Sequence, residues 1–357
     1  MKRLNYLIIL LILSNIAHSQ TSPGYQLKRK TIVSVSGGKF LINGIPTFQG
    51  RYWKGYPLEG LLPNSRMVQG IFDDLNKDTR HLWNYPDTKT WDADRNTNEF
   101  IRGMPIWRKK GLLAFTINLQ GGSPQGYSKY QPWENSAIDE TGNHRKDYMN
   151  RLEKILDRCD ELGMVAILGI FYFGQDERIK DEAAVKSAVQ NTVKWLSDRR
   201  YTNVLIEINN ECNVKYDHAI LQPGRIHELI EMAKRPTDTR IRYLVSTSYG
   251  GGSIPSPAVV KSADFILVHG NGVKDPAKII DMVNKTRKVE GYSPKPIVFK
   301  KKDFSTCLKL FLSVRKIEFA STNPSLAVIL ADHVDYFYCP AGLLLGRKIK
   351  ITFTKGK

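Results

Sequence analysis

Between residues 112 and 299 short apolar runs alternate with longer amphipathic segments, and this rhythm constrains the fold more than any other feature of the chain. Residues 112–119, 164–171, 204–208, 243–247, 265–268 and 297–299 are almost unbroken runs of large apolar and β-branched side chains. Between them the apolar positions move to helical spacing. Tyr148, Leu152, Ile155, Leu156, Cys159 and Leu162 form one such stripe, stopped by Gly163. Val185, Ala188, Val189 and Leu196 mark a second helix, and Ile226, Leu229, Ile230 and Ala233 a third. Asp275-Pro276 is an N-cap followed by an N1 proline, opening a helix through Ile279, Ile280 and Val283.

Strands that lack polar alternation are buried on both faces, as in a parallel sheet covered by helices. A candidate first strand at 47–53 brings the number to seven. An open doubly wound sheet would carry a Gly-rich phosphate loop after an early strand. None is present, so the expectation is an α/β chain forming a (β/α)₈ TIM barrel, incomplete after the seventh strand. An N-terminal β-hairpin precedes it, with strands at 32–35 and 40–42 around Gly37-Gly38. Residues 54–96 read as a surface excursion with a short helix over 67–75. Residues 96–109 read as a helix in which Pro105 must start a turn or a kink.

The first residues have the form of an export signal. Lys2 and Arg3 precede an apolar core at 7–13, and Ala17-His18-Ser19 places small residues at −3 and −1. Cleavage before Gln20 would leave 338 residues (357 − 19). The apolar core is shorter than the roughly 20 residues of a membrane span. The expectation is therefore a secreted or periplasmic protein with no stable membrane span after cleavage, a retained anchor being the alternative. Three segments follow: a signal peptide at 1–19, a barrel at 30–299, and a basic tail at 300–357.

The formal net charge of +18 at first suggests a nucleic-acid partner. Its distribution argues against one. Residues 300–357 hold 11 basic and 4 acidic side chains, a net of +7, and the other +11 is spread over 299 residues among acidic neighbours. Cys159, Cys212, Cys307 and Cys339 have neither metal-ligand spacing nor the pattern of a disulfide framework.

Chemistry is expected where the fourth strand ends, at Asn210-Glu211. Strand C-termini open onto the active-site face of a parallel barrel, so a carboxyl group there can protonate a leaving group while the adjacent amide binds a sugar hydroxyl. The chain resembles the cellulase-like glycoside hydrolases of clan A in four segments taken in order. These are Phe40-Leu-Ile-Asn-Gly-Ile-Pro-Thr-Phe-Gln-Gly50, Ile206-Glu-Ile-Asn-Asn-Glu211, Phe265-Ile-Leu-Val-His269 and Pro296-Ile-Val-Phe299. The likeness covers roughly residues 30–299. It implies a retaining β-glycanase scaffold acting on an oligo- or polysaccharide without a cofactor or a metal, with Glu211 as acid/base and Asn210 holding the sugar.

It also implies a nucleophilic glutamate one or two residues past Phe299, where the sequence reads Lys300-Lys301-Lys302. Two accounts of this ending stand, a frameshift or fusion near the lysine run and a divergent ending in an inactive relative. The first gives a chain derived from an enzyme, the second a carbohydrate-binding protein without turnover.

Further residues at strand ends are candidates for sugar contact, each with a packing role as its alternative. His269 ends the sixth strand, and Tyr172 and Gln175 follow the third. Asn118 and Gln120 end the second, Ser248 and Tyr249 the fifth, while Trp53 and Trp133 lie in loops where a ring could stack on a pyranose. Glu207 is expected to pair with a helix arginine, Cys212 to be packing, and Asp176-Glu177 to open a helical turn.

Overall fold

The computed structural model describes residues 29–300, apart from 54, 122–131, 237–240 and 274, together with Leu326–Ala327. The expected hairpin is present as β1 (Val33–Ser36) paired antiparallel with β2 (Lys39–Ile42), and β3 (Ile45–Pro46) extends it. The hairpin is tied to the barrel by its lead-in: Thr31 donates through its amide to Asp160 Oδ1 at 2.8 Å and through its hydroxyl to the Asp160 carbonyl at 2.7 Å.

The expected first strand is corrected. Residues 47–50 are turns, and 52–57 form a small antiparallel pair, β4 (Tyr52–Trp53) and β5 (Tyr56–Pro57). The first parallel strand is β6 (Asn64–Arg66), which pairs with β7 (Ala114–Asn118). Then come β8 (Val165–Tyr172), β9 (Val204–Asn210) and β10 (Leu244–Ser246), giving a parallel sheet in the order β6-β7-β8-β9-β10. A parallel bridge from Ser248 to Leu267 carries the series to β11 (Ile266–His269), which pairs with β12 (Ile297–Lys300). Every neighbour in this series is parallel and next in sequence, the topology of a barrel wall. Beyond β12, Leu326–Ala327 form β13, a parallel partner in register Ile297↔Leu326. The rest of 301–357 lies outside the described residues, as does the proposed leader at 1–19.

Helices cover the sheet where the periodicity placed them, and in two places where it did not. After the four-residue α1 (Lys77–Arg80) come α2 (Ala93–Lys109), α3 (Lys146–Glu161), α4 (Glu182–Asp198) and α5 (Ile226–Lys234). The expected helix over 67–75 is instead a single 3-10 turn at Val68–Gly70, with α1 displaced beyond it. Helix α2 runs through Pro105 to Lys109. The short α6 (Pro257–Ser262) was not expected. It opens on a Ser256 cap and an N1 proline but is too brief to show periodicity. Helix α7 (Pro276–Arg287) starts as expected, with Asp275 accepting from the Ala277 amide at 2.9 Å.

The core lies between the sheet and these helices. Phe115 on β7 packs edge-on against Phe100 of α2, ring centroids 5.3 Å apart, and both rings are fully buried. Each such ring removed from water stabilises by about 1.5–3 kcal/mol. A second cluster of Phe72, Trp83, Tyr85, Trp91 and Trp133 packs under the 71–93 excursion and fixes it to the barrel. Trp133 is therefore packing, 7% exposed, with its ring 5.9 Å from that of Trp83. No helix among the described residues is long and apolar enough to cross a membrane.

Candidate active site

Strand β9 alternates its side chains until Asn210, and the chain then turns sharply. Glu211 has φ of 56°, in the left-handed region that bulky L-residues avoid. Two hydrogen bonds hold this strained backbone: the Glu211 amide donates to Ser248 Oγ at 2.9 Å, and the Cys212 amide donates to the Ser248 carbonyl at 2.8 Å. Strain maintained by neighbouring strands is characteristic of functional positions.

The turn brings the Glu211 carboxylate to the C-terminal end of β11. Its Oε1 receives His269 Nδ1 at 2.9 Å and Asn271 Nδ2 at 3.0 Å. Burial pushes the Glu211 carboxyl up, but the His269 hydrogen bond and charge, Arg66 and Asn271 outweigh it and hold the group below the ordinary glutamate range. Glu211 is thus a carboxylate at neutral pH, with one face fixed by donors.

Asn210 is oriented from the first strand. Arg66 on β6 donates from Nη1 to Asn210 Oδ1 at 2.7 Å, and Tyr216 donates to the Asn210 carbonyl at 2.6 Å. With its oxygen engaged, Asn210 keeps the NH₂ as its donor end. Tyr172 is the register partner of Asn210 on β8, and the Arg66 guanidinium lies 5.8 Å from its ring centroid. Asn210, Glu211, His269 and Tyr172 therefore converge at one end of the sheet, as the strand count implied.

The other candidates are placed differently. Gln120 is fully buried and braces the barrel: its Oε1 accepts the Tyr172 amide at 3.3 Å, and its Nε2 donates to Ser136 Oγ at 3.2 Å. Tyr249 is 5% exposed and donates to Ser256 Oγ at 3.0 Å, at the start of α6. Trp53 has its backbone in β4, and its side chain lies outside what is described. Gln175 accepts the Asn135 amide at 3.1 Å and joins two loops. Cys212 is fully buried and its thiol is pushed up to about 12 by burial, which leaves it inert. Glu207 meets the neighbouring strand: its Oε1 receives the Ser248 hydroxyl at 2.6 Å.

Arg66 and Asn271 were missed by the sequence reading. Arg66 sits in the polar run Asn64-Ser-Arg66, which carries no strand signal, and Asn271 in Gly270-Asn-Gly272 reads only as a turn.

Asp176 opens a 3-10 turn at Asp176–Arg178 and links the loops after β8 and β9, accepting the Asp217 amide at 2.8 Å. Burial raises its carboxyl to about 6, against the pull of the Asp217 amide. Between the ordinary value of 3.8 and about 6 the folded chain holds a proton that the unfolded chain has released. Stability should therefore fall as pH rises through that window and then level off. Asp176→Asn should accordingly stabilise by about 2 kcal/mol at pH 8 and change little at pH 3.5, measured by urea unfolding at the two pH values. An equal effect at both would show that the carboxyl is not held protonated.

No protein-family model and no curated protein sequence matches the chain. Solved structures do. One described as a glycoside hydrolase superposes with a TM-score of 0.53 at 9% identity, over 88% of this chain and 68% of that one. An endo-1,4-beta-mannanase from Rhizomucor miehei gives a TM-score of 0.48 at 12% identity, over 84% of this chain and 89% of that one. A glycoside hydrolase family 5 structure from Bacteroides vulgatus ATCC 8482 gives 0.45 at 11%, over 77% of this chain and 54% of that one. The chain thus spans about half the length of that last protein. The likeness is one of fold, a parallel barrel sheet covered by helices.

Proposed function

We propose that this chain is an exported carbohydrate-handling protein built on a retaining β-glycanase scaffold, which binds an oligo- or polysaccharide at the Asn210-Glu211 end of the barrel. The observation that carries this reading is the convergence of Arg66, Asn210, Glu211 and His269 from the ends of three strands, β6, β9 and β11, onto one patch. An oriented amide beside a fixed carboxylate is what a sugar needs to be held across its hydroxyls.

Retaining chemistry requires a second carboxylate roughly 5–5.5 Å from the first, as nucleophile. The seventh strand ends instead in Lys300, in register with His269, and Lys301 and Lys302 follow. Glu211, held ionised, also lacks the proton an acid must deliver at neutral pH. Both observations favour binding without turnover over a working hydrolase. The fold comparison supports the scaffold, and the residues on the strand ends support the ligand class.

Titration calorimetry against soluble β-linked gluco- and manno-oligosaccharides tests this reading. Binding should be weakened about tenfold or more by Asn210→Ala, the loss of roughly one charge-free or charge-assisted hydrogen bond. Absence of binding to every glycan tried, or binding unaffected by Asn210→Ala, would remove the site assignment.

A further inference from the structure

Beneath Glu211 four groups close a circuit drawn from three adjacent strands. The Glu211 amide donates to Ser248 Oγ at 2.9 Å, and the Ser248 hydroxyl donates to Glu207 Oε1 at 2.6 Å. The same Glu207 oxygen lies 4.0 Å from His269 Nε2, and His269 Nδ1 meets Glu211 Oε1 at 2.9 Å. The side chains of Glu207 and His269 are each 1% exposed. The circuit therefore joins the backbone of Glu211 to its own carboxylate through a second glutamate that solvent does not reach.

We propose that Glu207 is a positioning residue for Glu211, fixing its left-handed backbone through Ser248 and its carboxylate through His269. The proposal rests on the reading of Glu211 as the working carboxylate of the site. A buried carboxylate with no role in charge balance would be costly. Here the imidazole lies between two carboxylates, hydrogen-bonded to Glu211 through Nδ1 and with Nε2 4.0 Å from Glu207. That arrangement favours a proton on each nitrogen, so that His269 is an imidazolium shared by Glu207 and Glu211. The cation offsets the buried charge of Glu207. It also presents Nδ1–H, never a lone pair, to Glu211.

Other groups around the ring complete the charge balance. Arg66 from β6 adds positive charge near Glu211. From the segment after β9, Cys212 and Tyr216 are pushed by burial toward their neutral forms, and Tyr249 after β10 likewise. Tyr172 stands on β8, and Lys300 is the register partner of His269 on β12. Glu207 and Glu211 both lie against the ring, and removing either charge should be felt by His269.

The test is ¹⁵N and ¹H NMR of the imidazole rings in the full chain, which has 7 histidines. The His269 signal is identified by its loss in His269→Gln. At pH 7 both of its ring nitrogens should be protonated. In Glu207→Gln, which keeps the shape, the proton affinity of His269 should fall tenfold or more while the other histidines titrate as before. In Ser248→Ala the Glu211 amide should exchange with solvent at least tenfold faster. A neutral His269 with bare Nε2 in the unaltered chain would overturn the proposal. So would an unchanged His269 titration in folded Glu207→Gln, or unchanged Glu211 exchange in Ser248→Ala. If Glu207→Gln fails to fold, the ring protonation of the unaltered chain and the Ser248→Ala exchange decide the matter. None of these readouts needs a sugar, so failed glycan binding with an intact circuit would reject the functional reading alone.

Discussion

An activated 2-fluoro glycoside should leave the unaltered chain unlabelled, and aryl glycosides should pass through it uncleaved. Lys300→Glu should change both results, giving a covalent glycosyl-enzyme by mass spectrometry and hydrolysis raised at least ~10³-fold over the parent. That corresponds to about 4 kcal/mol of transition-state stabilisation. The reason lies in the register of the sixth and seventh strands. Lys300 pairs with His269, whose ring nitrogen is bonded to Glu211 at 2.9 Å, so position 300 ends its strand at the level of the site. A carboxylate there can stabilise the oxocarbenium-like transition state, which an ammonium opposes.

A second effect acts in the same direction. A like charge near Glu211 would raise its carboxyl from the low range in which His269, Arg66 and Asn271 hold it despite burial. Glu211 would then carry a proton to give. Glu211→Ala in the Lys300→Glu background is the control, since both gains should depend on Glu211 as well. Robust, Glu211-dependent hydrolysis by the unaltered chain would sink the missing-nucleophile argument and require another carboxylate in that role.

Gly142→Val should destabilise the fold by about 4 kcal/mol or more, a large part of the 5–15 kcal/mol typical of a domain. Two costs combine at this position. Gly142 has φ of +87°, which a β-branched residue adopts only under strain. A Cβ there would also collide with the Ala184 carbonyl, a backbone atom of α4. The loop is not free to shift either. The Asn191 side chain donates to the Gly142 carbonyl at 2.9 Å, and the Lys180 amide donates to the Glu140 carbonyl at 2.8 Å. The segment just before it carries Asn135 and Ser136, which tie to Gln175 and Gln120 behind the site. Urea unfolding should therefore show the lost stability, and calorimetry at low temperature should show weakened glycan binding in the fraction still folded. A shift below 1 kcal/mol would mean that this loop does not dock on α4 as described.

How far the chain could be read in advance depended on what each element shows locally. Six barrel strands were legible because each is a run of apolar residues buried on both faces. The first was not: Asn64-Ser-Arg66 is polar, and it is a strand only because β7 offers it a ladder. The apparent strand at 47–53 had aromatic composition without a parallel partner; it became turns at 47–50 and one half of an antiparallel pair at Tyr52–Trp53. Helix α6 carried the Ser256-Pro257 start signal, but six residues give no stripe to count.

The candidate site divides along the same line. Asn210, Glu211 and His269 could be placed because a strand end is a local property, and parallel strands bring their C-terminal ends to one side of the sheet. Glu207 could be given a face by alternation but not a neighbour, since its Ser248 and His269 contacts depend on how β9, β10 and β11 are set side by side. Arg66 and Asn271 reach the site from 144 and 60 residues away, across spacings that carry no periodic signal.

The sequence by itself determined the parallel barrel sheet, the position of Asn210-Glu211 at a strand end, and the lysine that ends the seventh strand. These follow from burial periodicity and from residue identity, both local. Only the tertiary structure decided that Glu211 is held as an ion in a left-handed turn, that Asn210 is oriented by the first strand, and that a buried glutamate lies behind the histidine. Those properties are set by distances between strands, and electrostatic interaction depends on distance in space rather than along the chain.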